Sequence, residues 1–214
     1  MTLQGAALVG MPDEWQRAAA ILARRDPVLR RVIRAQAGKQ VRFRDDAFFS
    51  LARSIVGQQI SVKAAESVWN RLHDTLGGVS PTVVAQTGHD VLRACGLSQR
   101  KAEYLAGIAG HFAQPGFDAR RWQSQSDAEV IAELIGIRGI GRWTAEMFLI
   151  FHLRRPDILP VDDLGLQKAV SLLYNDGDPL TREALRDIAE RWAPWRSIAT
   201  WYLWRHLDPV PVEY

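Results

Sequence analysis

An all-α fold is predicted for this chain of 214 residues. Apolar residues recur at helical spacing along most of the sequence, no segment alternates as a β-strand does, and serine N-caps are frequent. The hydrophobic content of 47% and the charged content of 24% are typical of a globular protein and exclude a disordered chain. About ten helices with short connections are expected.

Residues typical of helix starts support the predicted helices, taken in chain order. Residues 14–35 predict two helices that break near Asp26-Pro27, because a proline disfavours the helical conformation in the residue before it. Ser61 is placed to cap a helix that runs to residue 72, and Ser80, followed by a proline, opens another. Helices are also expected over 45–56, 98–111, 126–136, 142–152, 163–174, 181–192 and 195–206, with a surface loop over 114–124.

Composition excludes several classes of protein. Apolar runs are short, as over residues 147–151, and lie far below the roughly 20 residues that cross a bilayer. The single cysteine, Cys95, excludes an internal disulfide and a cysteine-based zinc cluster, and the five histidines lack ligand spacing. No basic and apolar leader opens the chain, so an intracellular protein, cytoplasmic or nucleoid-associated, is expected.

The charge balance permits nucleic-acid binding without requiring it. The 27 lysines and arginines exceed the 24 acidic residues, which gives a formal charge of +3. Only four of the basic residues are lysines, and guanidinium groups suit bidentate phosphate contacts. A GC-rich genome explains an arginine excess equally well, so composition alone leaves both interpretations open.

A glycine-rich turn over 134–145 is the strongest local signal. Gly136, Gly139 and Gly141 lie between two apolar-periodic helices, where glycine permits positive φ and close approach of another molecule. The free amides of the helix that follows, with Arg142 beside them, form an anion site suited to a DNA phosphate. A tight helix-to-helix turn that ends in a glycine C-cap is the alternative.

The string Leu-x-Gly-x-x-Gly-x-Gly-Arg-x-Thr-Ala over 134–145 resembles the helix-hairpin-helix element of the DNA glycosylase superfamily. Three further strings, over 48–61, 96–104 and 193–197, are similar to the branch of 3-methyladenine-DNA glycosylase II, the AlkA-like family. The resemblance covers roughly residues 45–208. It implies an enzyme of base excision repair that flips alkylated bases out of duplex DNA and hydrolyses the N-glycosidic bond.

The resemblance also implies a two-lobed helical glycosylase fold with a cleft between the lobes. The lobes are expected over approximately 1–44 with 165–214, and over 45–164. Residues 1–44 are expected to be helical, and too few residues precede the match for the β-rich N-terminal domain of the bacterial relatives.

Asp162 is the catalytic carboxylate that the resemblance implies, since it lies in a turn at the start of a helix twenty residues after Arg142. It would stabilise the cationic sugar and orient or deprotonate the attacking water. Without the hairpin, Asp162 and Asp163 would be interpreted as an N-cap and a first-turn acid. Asp163 remains a competitor for the catalytic role.

The residue type at position 143 distinguishes bifunctional from monofunctional members of the superfamily. Bifunctional members place a lysine at this position, and its amine attacks the sugar. A tryptophan cannot do so, which predicts a monofunctional hydrolase without lyase activity. Trp143 and Trp204 are expected to line the base pocket. The bacterial enzymes of the resembled family have further tyrosines in the pocket, where this chain has Met147 and Arg205. The resemblance therefore implies a less aromatic and wider pocket.

The resemblance assigns Gln59 as the side chain that fills the gap left by the flipped base. The full set of expected DNA-binding residues is Gln58, Gln59, Ser98, Lys101, Gly139, Gly141, Arg142 and Thr144. No cofactor is required for the reaction. The resemblance implies a structural monovalent cation, Na⁺ or K⁺, at the backbone carbonyls of Ile135, Ile137 and Ile140.

The expected partner is double-stranded DNA that contains alkylated bases such as 3-methyladenine and 7-methylguanine, bound by a monomer that does not associate with a membrane. Four alternatives stay open: a noncatalytic helix-hairpin-helix DNA-binding module, a glycosylase for a different base lesion, a bifunctional glycosylase/lyase, and a helical scaffold for a protein partner. The absent lysine argues against the third.

Overall fold

The computed structural model describes residues 8–9, 13–39, 41 and 43–208. Its α-helices are α1 (Asp13–Arg25), α2 (Pro27–Ala35), α3 (Ala47–Gly57), α4 (Val62–Leu76), α5 (Pro81–Gln86), α6 (His89–Ala94), α7 (Gln99–Phe112), α8 (Asp127–Ile135), α9 (Arg142–Phe151), α10 (Leu164–Tyr174), α11 (Arg182–Glu190) and α12 (Arg196–Leu207). The prediction of an all-α fold class is confirmed. No helix in the described ranges is both long enough and apolar enough to cross a membrane.

The expectation that residues 1–44 are helical throughout was wrong at two points. Two strands of two residues each, β1 (Leu8–Val9) and β2 (Phe43–Arg44), pair in a small sheet that flanks α1 and α2 in sequence. A strand of two residues is too short for period-2 alternation to show in the sequence. Residues 1–7 and 10–12 lie outside the described part of the chain.

The expected surface loop over 114–124 also differs from the structure. A 3-10 helix occupies Ala119–Gln123, and Trp122 within it is fully buried. The Trp122 ring packs edge-on against Phe112, Phe117 and Phe148, with centroids 5.3–5.8 Å apart. A single buried aromatic side chain therefore fixes a segment whose proline and glycine predicted a loop.

The chain forms two compact units. Among the described residues, the first covers 44–148, and the second combines 8–43 with 149–208. In the first unit, α7 packs against α3, α5 and α6, and α3 packs against α4. The helix α3 is apolar on most of its surface, and its residues Phe48, Leu51 and Ile55 are buried.

The second unit is built around α12. This helix packs against α1, α2 and α10. It is buried on several faces, because its apolar residues are spread around the helix rather than confined to one stripe. Trp15 of α1 lies 6.0 Å from Trp201 of α12 and 5.5 Å from Phe43 between ring centroids, which joins the start of the unit to its end.

Candidate active site and nucleic-acid interface

The glycine-rich turn connects α8 to α9 within 136–141. A capping box between Ser126 and Glu129 begins α8. Gly139 has φ +98°, in the left-handed region that favours glycine. Its backbone also lies against Tyr104, since a Cβ atom at Gly139 would be 2.3 Å from Cγ of the tyrosine ring. Both conformation and space therefore require glycine at this position.

The start of α9 presents the candidate phosphate site. Gly141 is exposed, and a Cβ atom there would meet nothing within 4 Å. The first helical hydrogen bond runs from Ala145 N to Gly141 O, so the preceding amides of the first turn lie before the bonded part of the helix. Arg142 is 62% exposed and donates from Nε to Oε1 of the buried Glu146 at 3.0 Å. The Thr144 side chain is buried, which leaves its backbone amide as the group suited to a ligand.

The loop between α3 and α4, residues 58–61, carries the two glutamines assigned to DNA. Gln59 is exposed and has φ +57°, a left-handed conformation that few residues other than glycine adopt. Gln58 is half-buried and donates from Nε2 to the carbonyl oxygen of Gly139 at 3.2 Å. The structure thus presents Gln59 outward and engages Gln58 with the glycine-rich turn.

Ser98 and Lys101 are engaged within the first unit. The Ser98 hydroxyl accepts a hydrogen bond from the Lys101 amide at 3.3 Å and caps α7. The Lys101 ammonium donates to the carbonyl oxygen of Val56 at 2.8 Å, at the end of α3. Burial lowers the pKa of Lys101, because a less polar environment disfavours the charged form. Contact of either side chain with DNA stays a prediction.

The candidate cation site is formed by backbone carbonyls at the end of α8 and in the turn after it. Ile135 ends the helix, and Ile137 and Ile140 follow it. Carbonyl groups at the end of a helix lack helical partners. Such oxygens are the ligands that hard cations take in proteins. The Ile137 carbonyl already accepts from Ile140 N at 3.1 Å and keeps a second lone pair for a cation. The donor set therefore fits an alkali cation, whose presence stays a prediction. The described residues contain no cluster of three or more His, Cys, Asp or Glu side chains that could hold a metal ion.

In the second unit, the two adjacent aspartates face different surroundings. Asp162 is 51% exposed and forms an ion pair with Arg182. Asp163 is half-buried and is the N-cap of α10, where Oδ1 accepts from Leu166 N at 2.6 Å. The same oxygen accepts from Nε1 of Trp204 at 2.7 Å. Of the two carboxylates, Asp163 is the one held against an aromatic side chain expected to contact the base.

Aromatic stacking fixes Trp204. Its ring lies parallel to that of Phe151, with centroids 6.1 Å apart and an interplanar angle of 22°. Gly165 leaves room for the indole, since a Cβ atom there would be 3.1 Å from Asp163 Oδ1 and 3.2 Å from Trp204 Cδ1. Leu164, between the carboxylate and this glycine in sequence, is 79% exposed. An aromatic ring, a carboxylate and an exposed apolar side chain thus lie together at the start of α10.

The segment that leads to Asp163 is anchored by the string over 193–197. Arg196 donates from Nε and Nη2 to the two carboxylate oxygens of Asp157, each at 2.7 Å. The Ser197 hydroxyl donates to Arg155 O at 2.7 Å and accepts from Ile158 N at 2.9 Å. These bonds give the string a structural role, because they fix the chain shortly before the carboxylates.

The other residues assigned to the base pocket differ in exposure. Trp143 is half-buried in the first unit, as Trp204 is in the second. Met147 and Arg205 are buried, with exposed fractions of 1% and 7%. The place of all four in a base pocket stays a prediction.

Comparison with known proteins decides the family. Residues 52–194 match the model of the HhH-GPD superfamily base excision DNA repair protein. The chain belongs to this superfamily. A member from Schizosaccharomyces pombe, DNA-3-methyladenine glycosylase 1, is 30% identical over 203 residues, which cover 92% of this chain and 84% of the relative.

Two solved structures of the superfamily share the fold. DNA-3-methyladenine glycosidase from Bacillus halodurans has a TM-score of 0.77 and 31% identity, and the match covers 94% of this chain and 93% of that one. The 3-methyladenine DNA glycosylase of S. pombe, solved in complex with abasic DNA, has a TM-score of 0.75 and 30% identity, covering 92% and 100%. The predicted superfamily and the predicted enzyme class, a DNA glycosylase, are confirmed.

Proposed function

We propose that this protein is a monofunctional alkylbase DNA glycosylase of the 3-methyladenine-DNA glycosylase II type, with Asp163 as its catalytic carboxylate. Its substrates would be 3-methyladenine, 7-methylguanine and similar bases in double-stranded DNA, bound by a monomer. The hydrogen bond between Trp204 Nε1 and Asp163 Oδ1 carries the proposal. The 3-methyladenine glycosylases among its relatives support the alkylated substrate.

The chemistry of the substrate sets what the site must supply. A purine alkylated at N3 or N7 is cationic, so its glycosidic bond is already weakened and its departure needs little acid catalysis. The positive charge that develops on the sugar needs a nearby anion, and water needs a group that orients it. One ionised carboxylate beside the sugar can meet both needs.

Asp163 meets these needs better than Asp162. Two N–H donors fix Asp163 Oδ1, from Leu166 and from Trp204, so the carboxylate has a defined orientation. The stacked Trp204 ring offers an aromatic face to a cationic base, an interaction that strengthens when water is excluded. Asp162 instead forms a solvent-exposed ion pair with Arg182. The geometry therefore favours a surface role for Asp162, the carboxylate that the family resemblance implied.

Recognition of the DNA would fall to the first unit. The first turn of α9 and Arg142 would hold a phosphate, and the exposed Gln59 would enter the gap left by the flipped base. Flipping costs a few kcal/mol, and stacking of the base repays about 1–3 kcal/mol. Trp143 takes the position of the lysine in bifunctional relatives, so the product would be an intact abasic strand.

The test compares base release from methylated duplex DNA by wild type, Asp163→Asn and Asp162→Asn. Asparagine is as good an N-cap as aspartate, so Asp163→Asn should fold normally. We expect wild type and Asp162→Asn to release free 3-methyladenine and 7-methylguanine, with strand breaks only after alkali. Asp163→Asn should bind DNA and release neither base.

Three results would contradict the proposal. Loss of release in Asp162→Asn alone would return the catalytic role to Asp162. Breaks before alkali, or trapping of a covalent complex with borohydride, would indicate lyase activity. Tight binding of DNA without release by wild type would exclude alkylated bases and leave another lesion or a noncatalytic DNA-binding module.

A further inference from the structure

Two side chains tie the loop between α3 and α4, and the end of α3 that leads into it, to the rest of the first unit. Gln58 reaches the glycine-rich turn, and Lys101 reaches the end of α3. We propose that Gln58 and Lys101 are positioning residues that hold Gln59 in a fixed place relative to the phosphate-binding turn. The inference rests on the proposed function, in which Gln59 fills the gap left by the flipped base.

The link through Gln58 is direct. Its amide nitrogen donates to Gly139 O at 3.2 Å, across 81 residues of sequence. Gly139 belongs to the turn that precedes the candidate phosphate site of α9. A movement of the turn is therefore transmitted to the residue next to Gln59 through one hydrogen bond.

The link through Lys101 fixes the end of α3, which leads into the loop. Its ammonium donates to Val56 O at 2.8 Å, in the last turn of α3. Carbonyls at a helix C-terminus lack helical partners and carry partial negative charge, so an ammonium group stabilises them. Lys101 thus holds the end of α3, three residues before Gln59.

Both links meet on the first turns of α7. Tyr104, one helical turn after Lys101, lies directly beneath the backbone of Gly139. The Arg138 guanidinium lies over the same ring at 5.7 Å and pairs with Glu103 at 3.3 Å. One helix therefore supports the loop through Lys101 and the glycine-rich turn through Tyr104.

The backbone of Gln59 shows why such support is needed. Its φ of +57° is unfavourable for a residue with a Cβ atom, and such conformations persist only where the surrounding structure enforces them. Gln58 and Lys101 anchor the chain immediately before this residue. Without them we expect the loop to relax and to displace the Gln59 side chain.

The separation of the two tasks makes the inference testable. Phosphate contacts give a DNA-binding protein most of its affinity and fix its register. Replacement of Gln58 or Lys101 should therefore leave the affinity for DNA nearly intact while it impairs the insertion of Gln59. Replacement of a residue that contacts DNA directly would lower the affinity instead.

The experiment uses a duplex that contains a tetrahydrofuran analogue of an abasic site, with 2-aminopurine opposite it. Fluorescence reports insertion at the gap, and titration gives Kd. Single-turnover release from methylated DNA is measured in parallel. The variants are Gln58→Met, Lys101→Met and Lys101→Arg, with Gln86→Met, an exposed glutamine of α5, as the matched control.

We expect Gln58→Met and Lys101→Met to lose most of the fluorescence change and to slow base release by about tenfold, the effect of one lost hydrogen bond. Their Kd should stay close to the wild-type value, Lys101→Arg should restore both signals, and Gln86→Met should change neither. An unchanged fluorescence signal in both methionine variants, or a rise in Kd equal to the loss of rate, would overturn the inference.

The abasic duplex separates this inference from the proposed function. Its fluorescence signal requires no base release. Wild type that inserts but releases no alkylated base would contradict the proposed function, and sensitivity of insertion to the two methionine variants would still support the positioning role.

Discussion

The indole nitrogen of Trp204 donates a hydrogen bond of 2.7 Å to Oδ1 of Asp163, 41 residues earlier in the chain. The indole is also stacked on Phe151, so one side chain offers an aromatic face and orients a carboxylate. Gly165 keeps the approach open, because any larger residue would place a Cβ atom within 3.3 Å of both partners. The two functions of Trp204 can be separated by substitution.

Replacement of Trp204 by phenylalanine should keep the stack and remove the donor. A hydrogen bond to a charged group contributes about 1.5–3 kcal/mol, which corresponds to a loss of roughly 10- to 150-fold in the rate of base release. Single-turnover release from methylated DNA is the measurement. Trp204→Ala, which also removes the ring, should be slower still. Equal rates for wild type and Trp204→Phe would show that only the ring contributes.

Helix positions could be predicted from the sequence because their signals are local. Helix starts are predicted at Ser61 and Ser80 and at positions 98 and 126. In the structure the serine hydroxyl at each of these four positions accepts a hydrogen bond from a backbone amide. The sequence left an N-cap role open for both Asp162 and Asp163, and the structure shows that Asp163 is the N-cap of α10. Which of the two is the catalytic carboxylate stays a prediction.

The direction of polar side chains could not be predicted. Nothing in the sequence near Gln58 or Lys101 indicates that each bonds a carbonyl oxygen 81 or 45 residues away. Such contacts depend on how helices pack, which local spacing does not specify. The burial of Trp122 could not be predicted for the same reason, because it depends on a ring from its own segment and on rings from α7 and α9.

Gly139→Ala should destabilise the protein. Alanine at φ +98° is strained, and its Cβ atom would lie 2.3 Å from the Tyr104 ring, so the turn must move. We expect a loss of about 2 kcal/mol or more in the free energy of unfolding, measured by urea denaturation. Retention of wild-type stability would show that the turn has another accessible conformation.

Gly141→Ala provides the matched comparison in the same turn. Its Cβ atom would meet nothing, so the stability should change little. The added methyl group would lie at the start of α9, where we expect a phosphate to approach, and the affinity for duplex DNA should fall several-fold. Titration of labelled duplex at fixed salt checks this result. Unchanged affinity would place the phosphate elsewhere on the hairpin.

Asp26→Asn should weaken the second unit. The buried Asp26 carboxylate accepts from Val28 N and Leu29 N on one oxygen, and from Tyr174 and Trp192 on the other. Each carboxylate oxygen accepts from two donors, so in either orientation the NH2 group of an asparagine would face two groups that also donate. We expect a loss of roughly 3 kcal/mol in unfolding free energy. Asp74→Asn, at an exposed aspartate, should cost almost nothing.

Tyr174 should make the protein sensitive to alkali. Burial and the neighbouring Asp26 raise the pKa of Tyr174 well above its usual value of 10.0. Above about pH 10 the unfolded chain releases this proton and the folded chain keeps it, so stability falls by about 1.4 kcal/mol per pH unit. Tyr174→Phe should lower stability at pH 7 but show a shallower decline between pH 10 and 11. Urea denaturation at each pH gives the free energy of unfolding. If wild type and Tyr174→Phe lose the same stability per pH unit, Tyr174 ionises in the folded protein.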